Sequence, residues 1–472
     1  MYYRLHDDYA FRGWVGLPFA LAALRGKLAA ERPKFFDKPT FLTLLRCNGA
    51  EDVDTAALDE KRRGLLDELV KEGALEASEA PLPRLNPEQR YVFYPAIYMQ
   101  SIHWSITGKC NYRCRHCLVS APDGRHSQLP LADCLHIVEE LAACGVRAVS
   151  LTGGDPLARA DFAELARALT EKGVRITTMF TNGALLTPEL LDLFDELGQS
   201  PAFQISFDGF GQHDWLRGVP GAEKAAIRAI KLLVSRNFPV SCAMCIHKRN
   251  RDTLRETANF LASLGVGHLG LNAPQCLGCW NQYAEEFALS PEEEYQTYLA
   301  YIPQYFADGM PLELMLDGYF FCRKGRTDYR VPFVRGAKDD ADLNKRWICP
   351  SFRYNAHISP EGRLMPCMGF EGSAIGEKFP NILDMPLSEA TKNSLFHDVV
   401  YTKLGAYMAH NGKCAKCDER LRCAGGCRAS GLGEGGDYLG LDEHTCFFHL
   451  NVGEAQIRAA ADAAIKKYCI GA

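Results

Sequence analysis

No apolar stretch in this 472-residue chain approaches the roughly 18 residues that a membrane-spanning helix needs. The one long apolar stretch near the N-terminus, residues 14–24, is interrupted by Gly16 and Pro18 and lacks the positively charged segment that precedes it in a signal peptide. An excess of positive charge is also missing, because 53 Lys and Arg face 58 Asp and Glu, for a net charge of −5. We therefore expect a cytoplasmic protein with no membrane partner and no nucleic acid as its main partner.

Low-complexity tracts and convincing internal repeats are absent too, and a hydrophobic fraction of 47% predicts an ordinary globular protein. The abundant residue is cysteine, with 19 in the chain. A chain of this length has enough core to fold without disulfides, and a reducing compartment keeps thiols free to act as metal ligands. Metal binding is thus the leading explanation, and the spacing of the cysteines decides what kind.

The first of three zones, residues 1–90, ends in a proline-containing linker. Apolar spacing predicts helices over 39–45 and 55–73, with a turn at Asn48–Gly49 between them and a strand starting in residues 74–77. This order is typical of a winged helix, and it fits a generic small helical domain equally well.

The second zone, residues 96–320, alternates strands and helices, which predicts an α/β fold around a parallel sheet, open or curled into a partial barrel. In such a sheet the chemistry belongs at the carboxyl ends of the strands. The six predicted strands are residues 101–107, 147–152, 174–180, 203–207, 240–246 and 268–272.

Cys110, Cys114 and Cys117 directly follow the first predicted strand with C-x3-C-x2-C spacing. Three thiolates can reach three irons of a cubane cluster and leave the fourth iron without a protein ligand, whereas a structural zinc site needs a fourth ligand nearby. His116 is the nearest candidate for that ligand, but its neighbour Cys117 is then hard to use in the same geometry. An iron with an open position suits a cluster that binds a substrate.

With this motif the second zone resembles the radical S-adenosylmethionine (radical SAM) superfamily, whose fold is a partial (β/α)6 barrel. The resemblance implies a 4Fe–4S cluster whose open iron binds the amine and carboxylate of S-adenosylmethionine (SAM). One electron, from a flavodoxin- or ferredoxin-type donor, then releases a 5′-deoxyadenosyl radical that abstracts hydrogen from the substrate. The cofactor supplies this chemistry, and the protein supplies position and shelter from water.

Further segments carry the same resemblance and imply contacts to SAM. The residues concerned are Gly153, Gly154, Asp155, Asn182, Ser206 and Arg217. Asp155 stands where the family's Gly-Gly-Glu loop has glutamate, which puts its side-chain contact to the methionine amine in doubt. Arg217 is a partner for the SAM carboxylate or forms a structural ion pair with Asp214. Asn182 contacts the ribose or only shapes its turn.

The third zone, residues 321–472, has few periodic segments but nine cysteines, a composition typical of a metal-organised segment. Seven of them resemble, in order and spacing, the SPASM extension of radical SAM enzymes, which holds two auxiliary 4Fe–4S clusters. A zinc ribbon fits less well, because only five residues separate Cys417 from Cys423.

The resemblance implies three clusters in all, with two auxiliary ones in the third zone. One would be held by Cys414, Cys417, Cys423 and Cys446, and the other by Cys349, Cys367 and Cys427. Cys322 is the nearest candidate for the fourth ligand of the latter cluster; otherwise its fourth iron is open to substrate.

The remaining cysteines have weaker claims to a function. Cys276 and Cys279 form a C-x2-C pair after the sixth strand, where a hydrogen donor or a substrate contact is conceivable. The others fall on predicted helices and strands, where small core residues are common, or have no assigned role: Cys134, Cys144, Cys242 and Cys245, and Cys47 and Cys469.

SPASM proteins mostly modify peptides, and a winged helix in the first zone would resemble the element of ribosomal-peptide maturases that binds the leader by strand addition. Acidic residues in 52–68 disfavour a DNA-binding winged helix. We therefore expect a maturase that forms a thioether from cysteine in a precursor peptide. The alternatives are carbon–carbon or carbon–oxygen crosslinking, oxidation of Cys or Ser to formylglycine as in sulfatase maturases, and a zinc-binding regulatory or scaffold protein.

Overall fold

The computed structural model describes residues 1–24, 31–124, 126–274, 278–451 and 453–469. Its N-terminal part contains two small sheets and two helices. The elements are β1 (Tyr2–Leu5), β2 (Tyr9–Val15), β3 (Leu17–Ala23), β4 (Lys34–Phe35), α1 (Lys38–Leu45), β5 (Asn48–Asp52), α2 (Glu60–Lys71), β6 (Leu75–Ser78) and β7 (Val92–Ile97). One sheet is antiparallel in the order β5-β1-β6, and the other has the order β4-β3-β2-β7.

An aspartate side chain caps the start of each N-terminal helix. The Asp37 carboxylate accepts a hydrogen bond from the Thr40 amide at the start of α1, and Asp59 does the same for the Arg62 amide in α2. The second helix is shorter than predicted, because residues 55–57 form a separate 3-10 turn. The predicted turn at Asn48–Gly49 is wrong, since these residues begin β5.

The N-terminal hairpin of β2 and β3 joins this part to the barrel. Trp14 on β2 is buried, stacks on Tyr94 and donates a hydrogen bond from Nε1 to the carbonyl oxygen of Cys144 over 3.1 Å. Gly145 lies so close that a Cβ there would approach the Tyr94 ring to 2.6 Å. The apolar run of residues 14–24 is therefore largely a strand pair packed on the following domain.

Seven parallel strands form the centre of the main sheet. They are β8 (Ser101–Ser105), β9 (Ala148–Thr152), β10 (Arg175–Thr181), β11 (Ala202–Ser206), β12 (Val240–Cys245), β13 (His268–Asn272) and β14 (Glu313–Leu316). The connecting helices are α3 (Leu131–Ala143), α4 (Phe162–Glu171), α5 (Pro188–Glu196), α6 (His213–Arg217), α7 (Ala222–Ser235), α8 (Leu254–Ser263), α9 (Ala284–Phe287) and α10 (Pro291–Ala307). All six predicted strands are confirmed.

The C-terminal part extends this sheet at both edges. β15 (Phe320–Cys322) pairs with β14, while β16 (Asn355–Ile358) pairs in parallel with β8 and in antiparallel fashion with β17 (Leu364–Met365). The remaining helices are α11 (Asp340–Leu343), α12 (Leu387–Ala390), α13 (Ser394–Tyr401), α14 (Leu404–His410), α15 (Gly412–Ala415), α16 (Arg420–Cys423), α17 (Arg428–Gly435), α18 (Glu443–Leu450) and α19 (Gly453–Tyr468). Most of these helices are short, as expected for this zone.

In the described ranges, no helix combines the length and the apolar character needed to cross a bilayer. Among the cysteines of those ranges, none is joined in a disulfide.

Candidate functional site

The loop that follows β8 carries Cys110, Cys114 and Cys117 at the carboxyl edge of the sheet. It is fastened to α6 by two backbone hydrogen bonds, from the amides of Arg113 and Arg115 to carbonyl oxygens of that helix. Backbone amides also point at the sulfur atoms: the Tyr112 amide lies 3.4 Å from Cys110 Sγ, and the Ala121 amide 3.3 Å from Cys117 Sγ. Such N–H groups stabilise thiolate ligands and tune cluster potential.

These three thiols fit the ligand set of an iron–sulfur cluster. Burial is the main cause that raises the pKa of Cys110 and Cys117 to about 12, with smaller contributions from Asp155 at Cys110 and from neighbouring thiols at both. Without a cation the trio would stay protonated, so loss of their protons is coupled to metal binding. No group of three or more His, Cys, Asp or Glu in the described residues is placed to grip a single metal ion. A cubane instead takes each thiolate at a different iron.

The Gly153-Gly154 turn after β9 packs directly on the segment that leads into Cys110. The amide of Gly154 donates to the carbonyl oxygen of Thr107 over 2.8 Å. A Cβ at Gly153 would lie 2.1 Å from that same oxygen, and a Cβ at Gly154 would lie 2.1 Å from the carbonyl oxygen of Lys109. Only glycine allows the two loops to approach this closely.

The Asp155 side chain is fully buried and engaged within the protein. Its carboxylate accepts hydrogen bonds from the Thr181 hydroxyl (2.8 Å), the Asn182 amide (2.9 Å) and the Leu157 amide (3.0 Å). Burial raises the pKa of this carboxyl, and the three hydrogen bonds oppose the rise. Asp155 therefore ties the loop after β9 to the loop after β10.

Asn182 and Ser206 lie at the carboxyl ends of β10 and β11. The Asn182 side-chain amide donates to Asn111 Oδ1 over 2.8 Å and lies 4.0 Å from Cys110 Sγ, so it faces the cysteine loop. Ser206 is half-buried and is paired with Ala243 of β12. Both stand where the sequence predicts SAM contacts, and the contacts themselves remain predictions.

Arg217 pairs with Asp208 and not with the predicted alternative partner, Asp214. Its Nε and Nη2 donate to the two carboxylate oxygens of Asp208 over 2.7 and 3.1 Å, and its Nη1 lies 4.0 Å from Cys114 Sγ. Asp214 instead accepts hydrogen bonds from the amides of Gly221 and Glu223.

The ion pair of Asp208 and Arg217 is buried, and Asp208 has two further partners. His213 Nδ1 lies 2.9 Å from Asp208 Oδ2, and the Cys245 amide donates to Asp208 Oδ1 over 3.0 Å. Burial alone would raise the pKa of Asp208, but Arg217 and His213 outweigh it and hold the pKa well below its usual range. The motif Ser206-Phe-Asp208 contained this residue, yet the sequence resemblance pointed only to its serine.

The C-terminal cysteines collect in the two groups that the resemblance implies. One cavity is lined by Cys414, Cys417, Cys423 and Cys446, and a second one, of about 200 Å³, by Cys349, Cys367 and Cys427. Burial raises the pKa of the Cys367 thiol to about 12, and the thiols of Cys427 and Cys349 add to this rise because they lie nearby.

Cys322 is not brought to either group. It is buried on β15, with its Sγ 3.1 Å from the carbonyl oxygen of Arg326 and 3.7 Å from that of Arg323, and it lines neither cavity. Cys276 lies outside the described residues. Cys279 is buried beside the Cys110 loop, and its amide donates to the carbonyl oxygen of Cys117 over 3.0 Å. Cys134, Cys144 and Cys242 lie in the core as expected, whereas Cys245 is only half-buried.

A central cavity of about 450 Å³ lies between the Cys110 loop and the Cys349 group. Its described lining includes His116, Cys427 and the carboxyl-bearing residues Asp317 and Glu294. Burial and the Glu294 charge raise the pKa of Asp317 to about 7. Neither acid is predicted from the sequence, since nothing in their local motifs marks them.

Comparison with known proteins decides the family. The sequence profile of the Radical SAM superfamily matches residues 104–261, which include the cysteine loop and the Gly-Gly turn. Residues 104–261 form a radical SAM domain. The chain is thus an enzyme that contains a radical SAM domain, and the family that this domain defines uses a 4Fe–4S cluster and SAM. Cys110, Cys114 and Cys117 are the thiols of this domain that follow its first strand.

The radical SAM enzyme resembles proteins with different named activities. It is 28% identical to the AdoMet-dependent heme synthase of Methanosarcina barkeri over 373 residues, 74% of this chain and 96% of the relative. It is 24% identical to the PqqA peptide cyclase of Gluconobacter oxydans over 343 residues, 71% of this chain and 87% of the relative.

Among solved structures, Streptococcus suis SuiB bound to the precursor peptide SuiA superposes with a TM-score of 0.63 at 14% identity. The superposition covers 94% of this chain and 99% of SuiB. The remaining 6% of 472 residues is about 28 residues, so the shared fold includes most of residues 1–90.

Proposed function

We propose that this radical SAM enzyme modifies a ribosomally made precursor peptide and forms a thioether from a cysteine of that peptide. The observation that carries the proposal is the central cavity, which lies between the Cys110 loop and Cys427 and is lined by Asp317. A thiol must lose its proton when its sulfur bonds to carbon. A carboxyl with a pKa of about 7 is suited to accept that proton near neutral pH.

The radical cluster would be held by Cys110, Cys114 and Cys117. SAM would lie against Gly153, Gly154, Asn182 and Ser206, with Asp155 and Arg217 positioning these loops through their own buried hydrogen bonds. When bound, the cluster and SAM supply a carbon radical that abstracts hydrogen. We expect a flavodoxin- or ferredoxin-type donor to deliver the electron, in the reducing cytoplasm.

Two auxiliary 4Fe–4S clusters complete the proposal. One would be held by the cysteines 414, 417, 423 and 446, and the other by Cys349, Cys367 and Cys427. The second group borders the central cavity through Cys427, and a cluster held there would supply an acceptor for the electron left on the substrate after the new bond forms.

The substrate class is supported by two relatives and by the N-terminal part of the chain. One relative is named a peptide cyclase, and the SuiB structure contains a precursor peptide. We infer that residues 1–90 are a winged-helix-like leader-binding domain, residues 96–320 the barrel and residues 321–472 the SPASM domain. β6 is an edge strand of the sheet β5-β1-β6, so a leader can add a strand there.

The heme synthase relative points to another substrate, and its alignment covers 74% of this chain, against 71% for the peptide cyclase, so the sequence alignments do not separate the two substrates. The SuiB superposition includes most of residues 1–90, which favours the peptide substrate. Formylglycine formation from Cys or Ser, and carbon–carbon or carbon–oxygen crosslinking, remain the competing reactions.

The test is an anaerobic assay with SAM and dithionite, in which the candidate substrates are the short Cys-containing peptides encoded by any open reading frame found beside this gene. A thioether product is lighter by two hydrogens and has one fewer alkylatable thiol, whereas a carbon–carbon or carbon–oxygen crosslink keeps all thiols. A formylglycine product reacts with hydrazines. Removing residues 1–90 is expected to abolish turnover of the leader-bearing peptide and to leave reductive cleavage of SAM; undiminished turnover would contradict the proposed leader-binding domain.

A further inference from the structure

The auxiliary cavity that contains Cys349, Cys367 and Cys427 offers three thiols to a cluster with four corners. Its described lining includes no further cysteine. Cys322 is held elsewhere, with its Sγ against the carbonyl oxygens of Arg326 and Arg323. The fourth corner is therefore either open to substrate or held by a residue other than cysteine.

His103 lines the same cavity. It lies in the middle of β8, where Ile102 and Trp104 are packed in the core around the helices. Because side chains alternate along a strand, His103 projects to the opposite face, the interior of the barrel. There its ring contacts Phe180 edge-on at 4.9 Å and lies 5.5 Å from the ring of His357, centroid to centroid.

The imidazole of His103 has an unsatisfied nitrogen. Its Nε2 is buried and has no hydrogen-bond partner in the part of the chain that the structure describes. Burying a polar atom without a partner destabilises the fold, so such atoms call for an explanation, an ion among them. The neighbouring His357 also has one buried nitrogen without a partner, its Nδ1, while its Nε2 lies 2.5 Å from the carboxylate of Glu371. His357 does not belong to the described lining of this cavity, whereas His103 does.

We propose that His103 is the fourth protein ligand of the auxiliary cluster held by Cys349, Cys367 and Cys427. The proposal rests on the auxiliary cluster of the proposed function. Histidine is a common metal ligand, and it replaces cysteine at iron in Rieske centres. A cluster closed in this way carries electrons and does not bind the thiolate of the substrate. The substrate thiol then meets the central cavity and Asp317, not an open iron.

The experiment uses pulsed EPR on the full chain with Cys110, Cys114 and Cys117 replaced by Ala, so that only auxiliary clusters contribute. The protein is made with natural or 15N-labelled histidine and reduced with dithionite. We expect a strongly coupled nitrogen that changes with the histidine label, which backbone amides cannot mimic. The coupling is expected to disappear in His103→Gln and to persist in His357→Gln, the matched neighbour on β16.

Iron content and circular dichroism accompany each variant. His103→Gln is expected to keep its fold and most of its auxiliary iron on the three thiols, while Cys322→Ser changes neither iron nor spectrum. Auxiliary EPR signals without any histidine coupling would overturn the His103 assignment and leave the auxiliary cluster intact. A coupling that survives His103→Gln, or is altered by Cys322→Ser, would also overturn it. Absence of all auxiliary iron would overturn both the cluster and its ligand.

Discussion

Arg217 and Asp208 form a buried ion pair that also borders the cluster loop through Cys114. Removing one member leaves an uncompensated charge in the interior, which typically costs about 3–5 kcal/mol. In Arg217→Gln the negative charge of Asp208 would remain buried without its cationic partner, and water cannot solvate it because Asp208 is inaccessible to solvent.

We therefore expect Arg217→Gln to lower the thermal midpoint strongly and to weaken retention of the radical cluster, measured by anaerobic thermal denaturation and iron analysis. The matched control is Arg236→Gln, whose ion pairs with Asp192 and Asp195 lie at the surface, where little change is expected. Equal midpoints for the two variants would contradict the assigned role of the Arg217 pair.

Asp317 gives a prediction about pH. Burial first, and then the charge of Glu294, raise its pKa to about 7, so the folded protein keeps a proton that the unfolded chain has released above about pH 4. The folded state then binds more protons than the unfolded state, and stability falls as pH rises through this window.

Asp317→Asn is therefore expected to raise stability at pH 8 by on the order of 2 kcal/mol and to leave it unchanged near pH 4. The gain is smaller than in a dry interior, because Asp317 faces a cavity. The check is the difference in anaerobic thermal midpoint between Asp317→Asn and the unmodified protein, measured across pH. The control is Asp67→Asn, on the exposed face of α2. A parallel shift of the whole pH curve would show that the carboxyl of Asp317 is not the cause.

At the residue scale the sequence marks the candidate cysteine ligands but not the residues that surround them. Cys110, Cys114 and Cys117 are recognisable because cluster ligation demands a fixed local spacing. Asp208 and Asp317 come to the site through strands far apart in sequence, so no local spacing marks them. Arg217 illustrates the limit, since its position was foreseen and its partner was not.

At the scale of elements, close backbone contact sets the distance between the Gly153-Gly154 turn and the loop that carries Cys110. The backbone of Lys109 stands where a Cβ at residue 154 would go, at 2.1 Å. A carbonyl in the backbone cannot swing aside as the end of a side chain does. Overpacking of this kind typically costs about 1–3 kcal/mol.

Gly154→Ala is expected to push the two loops apart and to weaken SAM binding by about tenfold or more, measured by anaerobic calorimetry. Gly64→Ala is the matched control, because a Cβ at that helical position would have no neighbour within 4 Å. It should leave SAM affinity unchanged and stabilise α2 by up to about 1 kcal/mol. Unchanged affinity in Gly154→Ala would mean that the loop contact does not shape the SAM site.

The six barrel strands were predictable because each is a short apolar run between a helix and a glycine or a polar turn. The hairpin of β2 and β3 was missed, since its turn residue Gly16, at φ +78°, was taken as an interruption of the apolar run. Pairing of β16 with β8 was equally unpredictable, because it joins segments more than 250 residues apart, and sequence periodicity carries no information on such contacts.

At the scale of the whole molecule, three groups of thiols stand in separate places, and two of them border one central cavity. The Cys110 loop and the Cys349 group border that cavity directly, and the Cys414 group has a cavity of its own. Under the proposed function, such an arrangement would separate radical generation from electron removal while keeping both within one chain. Each group of thiols can therefore be replaced by mutation while the other two groups stay intact.

Anaerobically purified protein is expected to hold about twelve irons per chain, if each of three clusters is 4Fe–4S. Replacing Cys110, Cys114 and Cys117 by Ala should reduce this to about eight and abolish reductive cleavage of SAM, because the remaining clusters have no open SAM site.

Cys423→Ala should lose auxiliary iron and soluble protein together, since the short helices around it depend on the metal. Cys134→Ala, in the core of the barrel, is the matched control and should keep all its iron. SAM cleavage in the triple variant, or unchanged iron in Cys423→Ala, would refute the corresponding assignment.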